Sequence, residues 1–377
     1  MLNTVRFLED KSKMKMFLKK NAVFVISLFA ALSSAFLVPP DNRYAGYFDY
    51  RTLTCLFCTL AVVCALRDIR FFSILARRIV ELTGNARSAV LVLVYITFIG
   101  SMLLANDMAL LTFLPLGFFV LSSTKKEKYM AFTFVMQNIA ANLGGMLTPF
   151  GNPQNLYLYQ HFHIADAEFF GIMLYPFLLS VALITLLCLC CVKPEPLTLE
   201  KEENSLPVGL TVFYLLLFAF SIFIVFRVSP YQSGLIVVPL CLLLTDRKAL
   251  KDVDYGLLGT FVCFFVFSGN VSRLDCVRDF FMALMKDNTL LVSVFSCQFI
   301  SNVPSAILLS RFTQDYRELL LGVNIGGVGT LISSLASLIT FREYTTRYPE
   351  KTWSYIRLFS VLNFGFLIVL TVFCMFL

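Results

Sequence analysis

Apolar runs of about 20 residues, the length that a helix needs to cross a hydrocarbon core of about 30 Å, recur along this chain. Short polar stretches separate them. The pattern predicts an all-α polytopic membrane protein with about nine spans, which leaves no room for a soluble catalytic domain. The predicted spans lie near 22–38, 50–66, 130–160, 167–192, 207–227, 230–245, 256–270, 319–341 and 353–376.

Two further apolar stretches, 88–122 and 288–313, are each interrupted in the middle by polar residues. The interrupting residues are Asn106 and Asp107 in the first stretch and Ser301 and Asn302 in the second. Backbone can leave a regular helix inside a membrane only where protein or a water-filled cavity satisfies its N–H and C=O groups. We therefore predict two re-entrant hairpins with polar tips near the midplane. The amphipathic segments that precede them, 67–87 and 271–288, predict helices lying in the interface plane.

The two halves of the chain resemble each other in the same order. NLGGMLT at 142–148 matches NIGGVGT at 324–330, each in the span that follows a hairpin, and residues 48–63 resemble 253–267, each followed by its amphipathic segment and hairpin. These ordered matches indicate duplication. The span at 207–227 has no partner in the first half, and this extra crossing delivers the second copy to the opposite side of the membrane. We therefore predict two inverted repeats, each with a re-entrant hairpin and a broken transmembrane helix.

The repeat divides the chain into five predicted parts. These are a cytoplasmic N-terminal segment (1–20), a first transporter repeat (21–192), a cytoplasmic linker (193–206), an unpaired connecting span (207–229) and a second, inverted transporter repeat (230–377). Loop charges agree with this topology, because the segments placed inside hold 22 Lys and Arg and those placed outside hold 8. We predict a multi-pass protein of the plasma membrane with its N-terminus in the cytoplasm.

Composition excludes several other classes of protein. Hydrophobic residues make up 58% of the 377 and charged residues 15%, against about 25% charged in a typical soluble domain. The basic residues behind the net charge of +7 are spread over short loops and do not form one basic face. They therefore indicate the orientation of the chain in the membrane, and we expect no nucleic-acid partner. The 11 Cys lie mostly in apolar segments, as small hydrophobes do. His161 and His163 are expected in a solvated external loop without further metal ligands.

Polar residues gather where two of the spans break. In the first broken span Gly144 and Gly145 allow close approach, and Pro149 and Pro153 disrupt the helix. Inverted repeats with broken helices are typical of secondary transporters, which bind ion and substrate at the unwound backbone. For any single polar residue in this span, a structural role is an equal alternative to ligand binding. In that role its side chain bonds to a backbone carbonyl that the helix kink has freed. The candidate binding residues are Asn106, Asp107, Asn142, Gly144, Gly145, Thr148, Asn152, Asn155, Ser301, Asn302, Asn324, Thr330, Ser334 and Ser337.

Asp107 is the most specific single signal in the sequence. A carboxylate inside the membrane costs at least about 2.5 to 3.5 kcal/mol, so it should be paired, protonated or bound to a cation. This predicts coupling to H⁺ or Na⁺; the alternative is a tip that reaches water and caps a helix. The second tip has Val303 at the matching position, so coupling would differ between the two copies.

The order of these motifs resembles the ion transporter superfamily, which includes arsenite permeases, D-type Na⁺/H⁺ antiporters and citrate or dicarboxylate transporters. The resemblance rests on the Asn-Asp tip, GNPQN at 151–155, SNVPS at 301–305 and GVNIGGVGTLISSLASL at 322–338. It implies two repeats with oppositely facing hairpins, often in a homodimer. It also implies a site with two lobes that bind ion or substrate. The first lobe would consist of Asn106, Asp107, Asn142, Thr148, Asn152 and Asn155, and the second of Ser301, Asn302, Asn324, Thr330, Ser334 and Ser337.

Within this superfamily the chain departs from the dicarboxylate pattern. Those members usually carry Ser-Asn-Thr at both tips and a Thr-Pro-Pro-Asn break in both repeats, which form two Na⁺ sites. Here the tips read ANDM at 105–108 and SNVP at 301–304, and the second break reads SSLAS. The chain therefore looks closer to the arsenite permease branch.

Together these features predict a secondary active transporter, not an enzyme, for a small anion. The anion would be an oxyanion or a di- or tricarboxylate such as citrate, coupled to H⁺ or Na⁺, with membrane lipid and this anion as partners. No cofactor is expected, and no metal beyond a transported Na⁺. The alternatives are a Na⁺/H⁺ antiporter without an anionic substrate and, from other classes, a membrane enzyme or a passive channel.

Overall fold

The computed structural model describes residues 22–197, 206–286 and 288–377, and within these ranges the protein is nearly all helical. The fold class predicted from the apolar pattern is confirmed. The predicted N-terminal segment 1–20 and residues 198–205 of the predicted linker lie outside the described residues.

The first half of the chain forms eight α-helices. They are α1 (Ala22–Leu37), α2 (Tyr50–Asp68), α3 (Phe71–Val80), α4 (Ala86–Leu103), α5 (Asn106–Ser123), α6 (Met130–Gly144), α7 (Pro153–His161) and α8 (Asp166–Cys191). Helices α4 and α5 are the arms of the first hairpin. Helices α6 and α7 are the two parts of the first broken span, separated by residues 145–152.

The rest of the chain begins with the connecting helix, α9 (Val208–Val225), and then repeats this order. The helices after it are α10 (Tyr231–Thr245), α11 (Arg247–Lys251), α12 (Tyr255–Val271), α13 (Asp275–Met285), α14 (Thr289–Ile300), α15 (Asn302–Leu309), α16 (Tyr316–Ile325), α17 (Leu335–Arg347) and α18 (Thr352–Cys374). Helices α14 and α15 form the second hairpin, and α16 and α17 the second broken span. Helix α13 runs at 98° to the helical segment before it, as an interface helix after a span would.

By length and composition, six helices in the described ranges could cross a membrane, or seven if the bent segment Arg247–Val271 with Asp275–Met285 counts as one span. Both arms of the first hairpin are among the six, at 18 residues each, whereas the arms of the second have 12 and 8 residues. The hairpins therefore differ in reach. Re-entry of either one from the same side of the bilayer stays a prediction.

Side-chain caps fix where several helices begin. Asp49 Oδ1 accepts a hydrogen bond from Thr52 N at the start of α2, and Asn85 Oδ1 accepts one from Ser88 N at the start of α4. Asp254 caps α12 in the same way. Such caps satisfy N–H groups that the helix leaves without partners, which stabilises each helix by about 0.5 to 2 kcal/mol.

The two halves make the same contact between each hairpin and the broken span that follows it. Thr148 Oγ1 donates to Met102 O at 2.8 Å, and Thr330 Oγ1 donates to Gln298 O at 3.0 Å. Each acceptor lies four residues before the Asn of its hairpin tip. The motif match seen in the sequence therefore corresponds to a match in three dimensions.

The halves also exchange partners. Helix α1 packs against α12 of the second half, and α10 packs against α2 of the first. Likewise α5, the second arm of the first hairpin, packs against α17 of the second half. Its counterpart α15, the second arm of the second hairpin, packs against α7 of the first half. This reciprocal packing fits the duplication; the opposite orientation of the two copies stays a prediction.

Candidate functional site

Four helices begin at one place between the two halves. Asn106 and Asn302 are the first residues of the hairpin arms α5 and α15, and Asn152 and Ser334 are the N-caps of α7 and α17. All four are at most 4% exposed. Because a helix N-terminus carries unpaired N–H groups and about half a positive charge, four such ends form a strongly electropositive centre.

Two equivalent asparagines stand at the ends of the first helical parts. Asn142 Nδ2 donates to Asn138 O at 3.1 Å, and Asn324 Nδ2 donates to Leu320 O at 2.8 Å. Both bonds reach back one helical turn, so each side chain lies beside its own break. The remaining groups of the two amides face the other side chains of the centre.

Amide side chains connect the two halves directly. Asn324 Nδ2 donates to Asn155 Oδ1 at 2.6 Å, and its Oδ1 accepts from Asn152 Nδ2 and Gln154 Nε2 at 3.5 Å each. All of these residues are at most 1% exposed. Asn324 therefore joins the second break to the first. We name the set Asn106, Asn142, Asn152, Gln154, Asn155, Asn302, Asn324 and Ser334 the amide cluster.

The hairpin tips dock on this cluster. Asn106 Nδ2 donates to Asn142 Oδ1 at 3.1 Å and to Ser334 Oγ at 3.4 Å. At the second tip, Asn302 N donates to Ser333 O at 2.9 Å. In both tips the Asn Oδ1 accepts from the following backbone N–H at 2.9 Å. The two lobes implied by the resemblance thus meet directly instead of lying apart.

Several buried polar atoms of the cluster have no hydrogen-bond partner among the described residues. They include the side-chain oxygens of Asn152 and Gln154, which could face a cation, and Asn302 Nδ2, which could donate to an anion. A buried polar group without a partner costs about 1 to 3 kcal/mol. The cluster can therefore gain stability from a ligand with both positive and negative components.

Within the described residues, no hydrogen bond joins the Asp107 carboxylate to the amide cluster. Its Oδ1 is buried and has no hydrogen-bond partner among the described residues, and no ion pair joins it within them. It lies in the first turn of α5, where the helix dipole favours a negative charge. Asp107 directly follows Asn106 of the cluster, but its carboxylate shares no hydrogen bond with the cluster in the described ranges.

Other predicted site residues hold the hairpins in place. Thr148 and Thr330 donate their hydroxyl protons to hairpin carbonyls, as described above. Ser301 Oγ donates to Ser333 O at 3.2 Å, while Ser337 Oγ is buried without a partner in the described part of the chain. Gly145 leaves room for Asn152, whose Oδ1 would lie 2.4 Å from an added Cβ.

Gly144 is required by close approach to the first hairpin arm. A Cβ there would lie 2.2 Å from Phe98 O and 2.6 Å from Ser101 Oγ. Its counterpart Gly326 meets Cys297 in the same way, at 2.8 Å from an added Cβ. Ser101 and Cys297 each precede the tip Asn by five residues, so this contact is repeated too.

Sequence reasoning missed Gln298, which organises the second break. Its Nε2 donates to Gly326 O at 3.0 Å, and its Oε1 accepts from Thr330 N at 2.9 Å. A lone glutamine in the apolar run before a hairpin tip was the available signal. A second buried amide pair, in which Asn138 Nδ2 donates to Asn363 Oδ1 at 3.3 Å, joins α6 to α18 and was missed as well.

The expectation that His161 lies in a solvated loop is wrong. His161 is the last residue of α7, and its ring stacks on Tyr157 at 5.1 Å between centroids. The break at 145–152 lets α7 restart at Pro153 and run through this residue. Among the described residues, no group of three His, Cys, Asp or Glu side chains could hold a metal ion.

Comparison with known proteins places this arrangement in a family. Residues 14–315 match the citrate transporter family, CitMHS, over most of the chain. The chain belongs to the citrate transporter family. The match ends before α16, so the first break and both hairpins lie inside it and the second break lies beyond it.

Two relatives extend this assignment. An uncharacterized transporter of Methanocaldococcus jannaschii is 29% identical over 300 residues, which cover 78% of this chain and 81% of the relative. The inner membrane protein YbiR of Escherichia coli is 24% identical over 349 residues, which cover 91% of this chain and 92% of the relative. This citrate transporter family member is therefore a multi-pass membrane protein of a transporter family.

Proposed function

We propose that this protein is a secondary active transporter of a small anion, with a di- or tricarboxylate such as citrate as the first candidate, coupled to Na⁺ or H⁺. The observation that carries the proposal is the convergence of four helix N-termini, two from each half, on the buried amide cluster. Half-helix N-termini that meet between repeats bind anionic substrate groups in other transporters. Membership of the citrate transporter family supports the carboxylate.

The chemistry of the cluster supports coupling to a cation. Asn152 Oδ1 and Gln154 Oε1 are carboxamide oxygens of the kind that ligate hard cations, and both are buried without a partner in the described ranges. A bound Na⁺ would offset part of the charge of a carboxylate held beside it. Asp107 offers a second coupling group, as a carboxylate that takes up H⁺ or Na⁺.

We propose a small oxyanion as the second class of cargo. The ANDM and SNVP tips support it, since they resemble the arsenite permease branch. A Na⁺/H⁺ antiporter without anionic cargo is the alternative function, and the half-buried Asp107, whose Oδ1 has no hydrogen-bond partner in the described ranges, favours it. In that mechanism the four helix N-termini would have no anion to bind.

We propose that the two hairpins and two broken spans move together against the remaining helices in an elevator-like or rocking step. The hydrogen bonds of Thr148 and Thr330 fasten each hairpin to its own broken span. The α1–α12 and α2–α10 pairs form contacts outside this unit. We also propose a homodimer in the plasma membrane with a cytoplasmic N-terminus.

Thermal unfolding of the purified protein with candidate ligands tests this proposal. A ligand that binds only the folded state raises the apparent stability by about 2.7 kcal/mol at 100 times its Kd. We expect stabilisation by citrate, succinate, phosphate or arsenite, and more of it when Na⁺ is present or pH is lowered. Stabilisation by Na⁺ or Li⁺ alone, lost in Asp107→Asn, would favour the antiporter.

A further inference from the structure

A cavity of about 340 Å³ lies near the end of α7 that is remote from the amide cluster. Its volume falls at the small end of the range of about 300 to 1,000 Å³ for small-molecule sites. None of the candidate site residues predicted from the sequence lines it. Its lining includes Gly46, Asp49, Arg51, Tyr157, His161 and Arg311.

Arg311 gives the cavity a positive charge, and only some of its N–H groups have hydrogen-bond partners. Its Nη2 donates to Tyr47 O at 3.1 Å, but its Nε is buried and has no partner among the described residues. Arg51 adds a second guanidinium, with Cζ 5.7 Å from the centre of the Tyr231 ring. Within the described ranges neither arginine forms an ion pair. A guanidinium with a free N–H is well suited to a carboxylate or oxyanion.

The acidic side chain in the lining offsets only one of the two arginine charges, so the lining keeps a net positive charge. Asp49 Oδ1 accepts from Thr52 N at 2.9 Å and Oδ2 accepts from Thr52 Oγ1 at 2.8 Å, so both oxygens serve to cap α2. Tyr157, which is fully buried, also borders the cavity and shares a hydrogen bond of 2.8 Å with Ser310. The His161 ring stacks on the Tyr157 ring, and its nitrogens add polar atoms to the lining.

Two helices connect this cavity to the amide cluster. Helix α7 begins beside Asn152 in the cluster and ends at His161 in the cavity. Helix α15 begins at Asn302, and Arg311 follows two residues after its end. Nine residues of helix span about 13 Å, so the cavity and the cluster are about that far apart along α7. The cavity therefore lies at the C-terminal ends of both helices, where the dipole does not favour an anion, so its positive charge comes from Arg311 and Arg51.

We infer that this cavity is a binding site for a small carboxylate or oxyanion, which it takes from the outer solution before the anion reaches the amide cluster. The segments that hold Gly46, Asp49, Arg51 and Arg311 are among those predicted to lie outside. The naming of this anion as cargo rests on the proposed function. The Arg311 and Arg51 site itself rests on the cavity and its charges.

Protection of a thiol placed in the cavity tests this inference directly. Gly46 lines the cavity, and an added Cβ there has no heavy atom within 4 Å, so Gly46→Cys should be tolerated. The variant is labelled in proteoliposomes with a membrane-impermeant thiol reagent, and mass spectrometry of the peptide reports modification at position 46. Citrate, succinate and inorganic phosphate are the probes, and sucrose is the uncharged control.

We expect at least one of the anions to slow this labelling and sucrose to leave it unchanged. Arg311→Gln should raise the concentration needed for half protection about tenfold, as loss of a charge-assisted hydrogen bond predicts. Arg311→Lys should raise that concentration less than Arg311→Gln does, because it keeps the positive charge. Arg51→Gln should also raise it less than Arg311→Gln does. Arg317→Gln is the matched control, because Arg317 is exposed at the start of α16 and does not line the cavity; it should change nothing.

The inference is overturned if no anion protects the thiol, or if Arg311→Gln and Arg317→Gln need the same anion concentration for half protection. Uptake measured on the same proteoliposomes separates it from the proposed function. Protection without uptake of any anion would retain the cavity site and contradict transport. Uptake without protection would retain transport and remove the cavity site.

Discussion

Asn324 is the residue on which the amide cluster depends most. It bonds to Asn155, Asn152 and Gln154, so Asn324→Ala would leave three buried amides of the other half without this partner. We expect a loss of about 1 to 3 kcal/mol in the free energy of unfolding and no stabilisation by citrate. Thermal unfolding with and without citrate measures both effects.

Asn363→Ala is the matched control for this variant. It removes a buried amide bond between α6 and α18, and Asn363 does not belong to the amide cluster. It should destabilise the protein similarly and keep the response to citrate. If Asn324→Ala also keeps that response, the amide cluster does not bind the anion.

Gly144 is a second position where one residue decides the packing. Gly144→Ala would press a methyl group against the backbone oxygen of Phe98, so α6 and α4 must separate. We expect a loss of about 1 to 3 kcal/mol in the free energy of unfolding. Gly171→Ala in α8, where an added Cβ meets nothing within 4 Å, should be neutral or stabilising by up to about 1 kcal/mol. Equal unfolding temperatures for both variants would contradict the close approach.

At the scale of elements, the repeated threonine bonds predict paired behaviour. Thr148→Val and Thr330→Val keep side-chain volume but each remove one bond between a hairpin and its broken span. We expect faster amide hydrogen exchange in the hairpin that belongs to each variant, α4 and α5 for Thr148 and α14 and α15 for Thr330. A change confined to one of the two variants would show that the halves are not equivalent.

A group of hydrogen bonds between Glu195 and residues just after the end of α5 predicts how stability depends on pH. Glu195 accepts hydrogen bonds from Lys126, Lys128 and Tyr129, and those from Lys128 and Lys126 lower its pKa most, to about 2. A carboxyl whose pKa is depressed on folding stabilises the protein above its ordinary pKa of 4.5. This contribution is lost as pH falls from about 4.5 to about 2.

We therefore expect Glu195→Gln to lower the unfolding temperature at neutral pH, and the difference from the natural protein to shrink as the solution is acidified below pH 4.5. Thermal unfolding over a pH series measures it. Glu350→Gln, which changes an exposed acid in the loop before α18, is the control. A difference that does not depend on pH would remove Glu195 from this role.

The sequence predicted elements better than it predicted contacts. Apolar runs located the helices to within a few residues, the Gly-Gly pairs located both breaks, and Pro149 and Pro153 marked the first, because these residues act on the local backbone. The direct bonds from Asn324 to Asn155, Asn152 and Gln154 depend on how distant helices pack. Sequence periodicity does not contain that information. Gln298 was missed because a lone glutamine in an apolar run does not show which backbone groups it bonds, and its partners Gly326 and Thr330 lie in the following span.

At the scale of the whole molecule, two similar halves form one assembly. Exchange of partners between α1 and α12 and between α10 and α2 holds the halves together outside the amide cluster. The hairpins and broken spans bring four helix N-termini to the centre. Transport of an anion follows if this centre becomes accessible from each side in turn.

Gradient-driven uptake of radiolabelled citrate into proteoliposomes tests this mechanism most directly. We predict saturable uptake that accelerates with an inward Na⁺ or H⁺ gradient, falls to background in Asn324→Ala and persists in Asn363→Ala. Uptake of succinate, phosphate or arsenite instead of citrate would change the cargo and keep the mechanism. The absence of gradient-dependent uptake for all four, with Na⁺ addition alone moving protons across the membrane, would contradict anion transport by this protein.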